Sequence, residues 1–378
     1  MRQCLQCHKE YPDNVKYCPQ CGAPVRTVGE ETDPLVGRLL GGRYMIEERV
    51  GAGGFGTVYK VRDQRFGNAS MALKVIHPRH AHDRIAMERF RQEAHLLFEL
   101  GKRSTAIVQF YNFEEDEQEK LFYFAMEWVD GVSLTQLLIR EGQLSAPRAV
   151  RLVRQVCEPL RVAHRRGVIH RDLKPDNLML VQEEDEQMVK VLDFGIAKAL
   201  AEQWGEKRFT ESVLGMPGTA GYAAPEQLEG RTKEIGAPTD LFALGVILYN
   251  LLTGRDPWFG KLLTEPLTRR EEMVELPSRV LEGRGISPRQ WNPELPEEVE
   301  AIIFKLMEKE PSQRFQSAKE LDQALAALEQ KWTAPPPPPS PPPIRERLQP
   351  PPPPPSPPPI RERLETRPTP PPRPWYQR

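Results

Sequence analysis

Four glycines between two β-branched segments could let backbone N–H groups approach phosphate oxygens closely. They follow the order G-x-G-x-x-G with one glycine added: Gly51, Gly53, Gly54 and Gly56. A dinucleotide site shares this spacing, but its glycines lead into a helix. Here strand-forming Val58 and Tyr59 follow, which favours a hairpin folded over phosphate groups. Taken alone, the motif is also consistent with a glycine-rich turn that binds nothing.

A lysine with apolar neighbours follows on the next strand-like segment. Lys74 lies between Leu73 and Val75, and Glu93 lies in residues 84–100, whose apolar positions recur at helical spacing. A buried ammonium group requires an anionic partner. Glu93 and nucleotide phosphates are therefore the predicted partners of Lys74.

The most specific pattern is H-R-D-L-K-P-D-N at residues 170–177, followed by D-F-G at residues 193–195. With the preceding motifs in this order, residues 43–328 resemble a eukaryotic-type serine/threonine protein kinase, and in particular its bacterial members. The resemblance covers about three quarters of the sequence. It implies an α+β, bilobal fold and transfer of the γ-phosphoryl group of ATP to protein substrates with Ser or Thr acceptors.

The resemblance also implies roles for seven catalytic residues. Asp172 would accept the proton of the acceptor hydroxyl, and Lys174 would contact the γ-phosphate. Asn177 and Asp193 would bind Mg²⁺ or Mn²⁺ through hard oxygen atoms. Three further positions complete the set, namely the phosphate-binding Lys74, its helix partner Glu93, and Thr219, which would contact the catalytic loop. Lys174 and Thr219 are the positions that favour Ser/Thr over Tyr specificity.

A nucleotide site is implied by the same resemblance. Met126 matches the gatekeeper, and the backbones of Glu127 and Val129 would face adenine. The predicted ATP-binding residues are Val50, Gly51, Gly53, Gly54, Gly56, Val58, Ala72, Lys74, Met126, Glu127, Val129 and Met179. Two matches concern architecture: Asp240 would anchor the catalytic loop, with a helix cap as the alternative, and Arg314 would pair with Glu226.

These residues require a particular set of elements. We expect a five-stranded N-lobe with one helix at residues 43–128 and a helical C-lobe at residues 129–332. Ser145 is predicted to cap a helix, and residues 240–253 are apolar nearly all round, which predicts a buried helix.

The first 24 residues carry two C-x-x-C pairs, formed by Cys4, Cys7, Cys18 and Cys21. This spacing predicts a zinc ribbon in which four thiolates bind one structural Zn²⁺. A disulfide pair, a redox C-x-x-C and a haem-attachment C-x-x-C-H are the alternatives weighed. The fifth cysteine, Cys157, is predicted to be a small core residue. Residues 25–42 are predicted to be a linker.

Residues 333–378 contain a proline-rich repeat in which Ile-Arg-Glu-Arg-Leu recurs. Such a composition predicts a disordered, extended tail. It could serve as a spacer or as a docking site for a Pro-recognition domain.

Composition excludes several classes of function. The formal net charge of −1 gives no general attraction to nucleic acid or to an anionic membrane. No apolar run of about 18 residues or more occurs, and no secretory signal is recognisable, so we expect a cytoplasmic protein that does not bind membranes.

The predicted function is that of a serine/threonine protein kinase, activated by autophosphorylation of its activation segment at Thr210 or Ser212. Arg171, directly before Asp172, would bind the added phosphate. A pseudokinase scaffold acting through the ribbon and tail, and a small-molecule phosphotransferase, are the alternatives.

Overall fold

The computed structural model describes most of the chain between residues 33 and 333. The described residues are 2–4, 9–11, 18, 25–27, 33–52, 56–77, 84–183, 186–194, 220–265, 267–268, 271–283 and 285–333. Several predicted residues lie outside them: Cys7, Cys21, Gly53, Gly54, Thr210, Ser212 and Thr219. The side chain of Glu93 is likewise outside the description, although its backbone lies in a helix.

Three short strands form an antiparallel sheet at the N-terminus. The strand β1 (Arg2–Cys4) pairs with both β2 (Glu10–Tyr11) and β3 (Val25–Thr27). Because β3 completes this sheet, the ribbon extends past the boundary at residue 24 that the cysteine spacing suggested.

The N-lobe is built on a six-stranded antiparallel sheet in the order β4-β5-β6-β7-β9-β8. Its strands are β4 (Leu39–Leu40), β5 (Tyr44–Ala52), β6 (Gly56–Asp63), β7 (Ala69–Ile76), β8 (Phe110–Asp116) and β9 (Leu121–Glu127). The predicted number was five. The sixth strand, β4, comes from the predicted linker, because Leu40 is fully buried among the side chains of β5, β6 and β7.

The two faces of this sheet contribute to separate hydrophobic cores. Tyr44, Tyr59 and Leu73 belong to an outer core that Leu35 and Leu40 help to cover. Ala72 and Ile76 belong to the main core, which continues into the C-lobe. Alternation of side chains along β7 explains how one strand serves both cores.

Helices make up most of the described C-lobe. The α-helices of the described residues, with α1 in the N-lobe, are α1 (Arg84–Gly101), α2 (Leu134–Glu141), α3 (Ala146–His164), α4 (Pro225–Leu228), α5 (Ala237–Thr253), α6 (Leu276–Glu282), α7 (Glu297–Leu306) and α8 (Ala318–Thr333). A small antiparallel sheet consists of β10 (Val132–Ser133), directly before α2, and of β11 (Leu178–Glu183) and β12 (Glu186–Val191), which lie between the two catalytic motifs in the chain.

The predicted buried helix is α5, in which residues 239–253 are all buried. It packs against α3 and α7 and forms the centre of the lobe. Ser145 is the N-cap of α3 as predicted, but its side chain makes no capping hydrogen bond. Pro147 in the first turn has no N–H group, which removes one donor that a capping oxygen could use. In the part of the chain described here, no helix combines the length and the apolar character that a membrane span needs.

Two predictions about buried side chains are confirmed. Cys157 is 2% exposed, and burial raises the pKa of its thiol. Arg314 donates from Nη1 and Nη2 to the two carboxylate oxygens of Glu226, both at 2.8 Å, and both side chains are fully buried. Arg314 also donates to the carbonyls of Glu308 and Lys309. The bidentate pair therefore joins the start of α4 to the segment before α8.

We predict that Arg314→Ala lowers the free energy of unfolding by about 3–5 kcal/mol, because it leaves the buried Glu226 carboxylate unpaired. Urea unfolding followed by circular dichroism measures this change. The control is Lys331→Ala, which removes an ion pair with Glu298 that is mostly exposed and should have no measurable effect. Equal stability of the Arg314→Ala variant and the wild type would contradict the structural role of this pair.

Candidate active site

The catalytic loop connects α3 to β11 and carries Asp172, Lys174 and Asn177. Lys174 Nζ lies 3.4 Å from Asp172 Oδ2. The amide of Asn177 donates to the backbone carbonyl of Asp172 at 2.7 Å. Because the Nδ2 atom is used in this way, the amide plane is fixed and the position of Oδ1 is set with it. Three of the predicted catalytic side chains thus meet on one loop.

The carboxylate of Asp240, in the first turn of α5, accepts hydrogen bonds from the backbone of this loop. It accepts hydrogen bonds from the backbone N–H of His170 at 2.8 Å and of Arg171 at 2.9 Å. His164 Nε2 contributes a third contact at 2.7 Å. Burial alone would raise the pKa of Asp240, but these hydrogen bonds hold it below its usual range. The predicted anchoring role is confirmed, and the N-cap of α5 is Gly236 rather than Asp240.

Two active-site residues have backbone angles that non-glycine residues seldom adopt. The φ angles of Arg171 and Asp193 are 61° and 43°. Such strain persists only where neighbouring contacts determine the backbone. For Arg171 these contacts are Asp240, which accepts from its N–H, and Gln227, whose Nε2 donates to its carbonyl at 2.9 Å.

His170 links the catalytic loop to the segment that carries Asp193. Its Nε2 donates to the carbonyl of Leu192 at 2.9 Å, so Nδ1 is the acceptor nitrogen of the neutral ring. The N–H of Asp172 donates to that Nδ1 at 3.3 Å. The ring also packs against Phe194, with centroids 4.8 Å apart. Complete burial lowers the pKa of His170.

Lys74 extends from β7 to the C-lobe side of the site. Its Nζ donates to Asp193 Oδ1 at 2.8 Å, with both side chains partly exposed. The predicted partner was Glu93, whose side chain is outside the described part of the chain. The described partner of Lys74 is therefore the predicted metal-binding carboxylate. An ammonium group has three N–H donors, so Lys74 can donate to Asp193 and to a phosphate oxygen together.

The predicted nucleotide residues line adjacent strands. Gly51 pairs with Val58, Val58 with Lys74, and Ala72 with Met126 across the sheet. A side chain at Gly56 would place a Cβ atom 2.4 Å from the carbonyl of Val75, so close packing of β6 on β7 requires glycine. The remaining described members are Val50 and Gly51 on β5, Glu127 at the end of β9, Val129 just after it, and Met179 on β11.

Sequence reasoning missed the side-chain contacts of Glu127. Its carboxylate forms an ion pair with Lys190 on β12 and accepts from the N–H of Gln109. The N–H of Glu127 in turn donates to the carbonyl of Gln109. These bonds join the end of β9 to the strand that leads to Asp193. No periodic pattern marks Gln109 or Lys190, and only their contacts identify them.

Residues 220–227, which follow the predicted activation segment, are hydrogen-bonded to other parts of the C-lobe. Tyr222 donates to Asn250 Oδ1 at 2.9 Å, and Trp258 Nε1 donates to the carbonyl of Gly221 at 3.0 Å. With the Gln227 contact to Arg171, these bonds place residues 220–227 beside the catalytic loop.

Comparison with known proteins decides the family. The protein kinase domain profile matches residues 44–332, and a zinc-ribbon domain profile matches residues 3–25. The chain belongs to the protein kinase family. The kinase match covers all the site residues described above, from Val50 to Asp240.

Similar curated kinases come from bacteria. Serine/threonine-protein kinase PrkC of Bacillus subtilis is 32% identical over 290 residues, which cover 76% of this chain and 41% of PrkC. Serine/threonine-protein kinase PknB of Mycolicibacterium smegmatis is 34% identical over 284 residues, covering 75% of this chain and 42% of PknB. The matched part of the chain thus spans about two fifths of the length of these relatives.

Solved structures show the same bilobal kinase fold. The PknI kinase domain of Mycobacterium tuberculosis aligns with a TM-score of 0.54 at 23% identity, covering 77% of this chain and 98% of that domain. Rad53 in complex with AMP-PNP aligns with a TM-score of 0.58 at 25% identity, covering 75% of this chain and 65% of Rad53.

The predicted zinc site is only partly within the described residues. The side chain of Cys18 is fully buried, and its Sγ lies 3.0 Å from the hydroxyl of Tyr11. Among the described residues, no three potential metal ligands form a cluster. Cys7 and Cys21 are outside these residues, so the predicted set of four thiolates is not described together.

The environment of His170 predicts how the stability of this kinase depends on pH. The pKa of His170 is lowered in the folded state, whereas an unfolded histidine has a pKa of about 6.5. As the pH falls below about 6.5, the unfolded state binds the proton first, so stability decreases. We predict that His170→Phe reduces the loss of unfolding free energy between about pH 7 and about pH 5.

Urea unfolding of both proteins at several pH values measures this slope. A constant difference in stability between the two proteins does not affect the test, since only the slope is compared. Parallel pH profiles for the two proteins would contradict a neutral, buried His170.

Proposed function

We propose that this chain is a serine/threonine protein kinase that transfers the γ-phosphoryl group of ATP to Ser or Thr hydroxyls of protein substrates. The observation that carries the proposal is the contact between Lys74 and Asp193, 2.8 Å long, next to a catalytic loop that Asp240 holds in place. Lys74, predicted to bind phosphates, contacts the predicted metal-binding carboxylate of Asp193, and the bond from His170 to Leu192 joins this pair to the loop that carries Asp172.

In the proposed reaction, Asp172 orients the acceptor hydroxyl and accepts its proton. A bond forms between the hydroxyl oxygen and the γ-phosphorus, the bond from that phosphorus to the β,γ-bridging oxygen breaks, and ADP leaves. Lys174, 3.4 Å from Asp172, is placed to neutralise charge on the transferred group. Lys74 would bind the α- and β-phosphates.

Asn177 and Asp193 are suited to bind Mg²⁺ or Mn²⁺. Both offer hard oxygen atoms, and the Asn177 amide is already oriented by its bond to the Asp172 carbonyl. When bound, the metal ion would neutralise charge on the phosphates of ATP.

Specificity for Ser and Thr is supported by Lys174 and by the names of the similar bacterial kinases. Thr219, the other position that favours it, lies outside the described residues. The presence of Lys74, Asp172 and Asp193 in the sequence, together with the contact between Lys74 and Asp193, disfavours a pseudokinase scaffold. Residues 220–227 beside the catalytic loop favour a peptide acceptor over a small molecule.

We further propose that phosphorylation at Thr210 or Ser212 activates the kinase. Arg171 precedes the catalytic base, and a phosphate carries about −1.5 to −2 charge with three acceptor oxygens that an arginine can bind. Incubating dephosphorylated protein with Mg-ATP and following activity against phosphate content tests this. Full activity before any phosphate is incorporated would contradict it.

Two finer proposals concern the rest of the chain. The tail would bind a Pro-recognition domain through its repeats, and a peptide of residues 335–364 that binds no member of a panel of such domains would contradict this.

A cytoplasmic location is supported by the zinc-ribbon match, because thiolate ligands require reduced cysteines. Fractionation of cells that recovers the protein outside the cytoplasm would contradict it.

We predict that Asp172→Asn abolishes phosphoryl transfer and leaves Mg-ATP binding unchanged, because the carboxylate acts on the acceptor and not on the nucleotide. Transfer to a protein acceptor is measured with labelled ATP, and binding by calorimetry. The control is Asp176→Asn, which changes a nearby carboxylate that has no assigned catalytic role and should retain transfer. Wild-type transfer by Asp172→Asn would refute the proposed mechanism.

We also predict that the purified chain contains about one zinc ion, and that Cys18→Ser loses it while kinase activity is retained. A ribbon this short has too little core to fold without its ion. Cys157→Ser is the matched control, since it removes a different buried thiol and should keep the zinc. Elemental analysis that finds no zinc in anaerobically purified wild type would rule out the zinc ribbon as a metal site.

A further inference from the structure

The segment between the ribbon and β5 is part of the N-lobe. Residues 33–42, called here the N-terminal strap, make backbone hydrogen bonds to β5: Gly37 N–H donates to the carbonyl of Ile46, and Ile46 N–H donates to the carbonyl of Arg38, both at 2.9 Å. Leu40 lies in the outer core, and Gly41 N–H donates to the buried Asp116 at 2.7 Å. The strap is therefore fixed along its length.

Asp33, at the start of the strap, contacts both strands that carry the glycine-rich loop. Its carboxylate accepts a hydrogen bond from the Tyr59 hydroxyl on β6, with oxygen–oxygen distances of 3.0 and 3.2 Å. Arg49 on β5 lies 3.8 Å away from it. Tyr59 is only 3% exposed, and burial together with this hydrogen bond raises the pKa of its hydroxyl to about 12. A buried hydroxyl of this kind requires its partner.

The position of these contacts connects the strap to the nucleotide site. Arg49 and Tyr59 face each other across β5 and β6, and the next pair in the ladder is Gly51 and Val58. The register shifts at this point, so the ladder is irregular directly below the loop. A contact that joins Asp33 to both strands here constrains the base of the loop.

We propose that Asp33 is a positioning residue for ATP, because its carboxylate fixes the two strands from which the glycine-rich loop extends. This inference rests on the proposed function. Without the carboxylate, a smaller fraction of the protein has the loop in the position that binds phosphates. The apparent Kd for Mg-ATP then rises in inverse proportion to that fraction, whereas the turnover of the saturated enzyme does not change.

The experiment compares Asp33→Ala with the wild type in the full-length chain. We expect the KM for ATP and the Kd for Mg-ATP, measured by calorimetry, to rise by about three- to tenfold, the effect of losing one hydrogen bond of typical net strength. The kcat at saturating ATP and the KM for a peptide acceptor stay unchanged. The control is Arg38→Ala, which removes the strap's exposed ion pair with Glu119 and should leave all four constants unchanged.

Tyr59→Phe removes the group that needs Asp33 and gives a second test. In the Tyr59→Phe background, Asp33→Ala should change the Kd for Mg-ATP less than it does in the wild type, since the two side chains share one bond. If Asp33→Ala does not fold, Tyr59→Phe alone removes the same hydrogen bond and should raise the Kd for Mg-ATP, and thermal unfolding shows that each variant is folded at the assay temperature.

An unchanged Kd for Mg-ATP in Asp33→Ala would overturn the inference, as would an equal rise in Arg38→Ala. The binding measurement also separates this inference from the proposed function. If the wild type binds Mg-ATP but transfers no phosphate, the kinase proposal fails, and Asp33 is still tested by the Kd.

Discussion

The catalytic loop depends on one buried carboxylate. Asp240 accepts the backbone N–H groups of His170 and Arg171, and it lies on a helix whose residues are buried throughout, so the anchor cannot shift without disturbing the main core. The unusual backbone angle of Arg171 is maintained by this contact. Because Asp172 is the next residue along the chain, its placement follows from that of Asp240.

The N-lobe is joined to this framework by polar contacts as well as by the main core. Lys74 meets Asp193 from β7, and Glu127 meets Lys190 where β9 ends. On the far side of the sheet, the N-terminal strap covers a second core and contacts the strands below the glycine-rich loop. The residues that would bind phosphate and adenine are thus supported from both faces of one sheet.

Much of this arrangement could be predicted from the sequence. The motifs at residues 51–58, 170–177 and 193–195 identify the family, and the apolar run in α5 predicts a buried helix. The sixth strand was missed because Leu39 and Leu40 are too few to show any periodicity. The contacts of Asp33 with Tyr59 and of Gln227 with Arg171 join residues that are distant in sequence, and single polar residues give no signal of such pairing.

We infer that Asp240 positions Asp172 for phosphoryl transfer. The most direct measurement is the single-turnover rate of phosphoryl transfer by Asp240→Asn at saturating Mg-ATP. An asparagine replaces one of the two accepting oxygens with an NH2 group, which cannot accept from a backbone N–H, so we expect the loop to move and the rate to fall by about 100-fold, while the Kd for Mg-ATP stays unchanged. A rate equal to that of the wild type, in a variant shown to be folded, would contradict the claim.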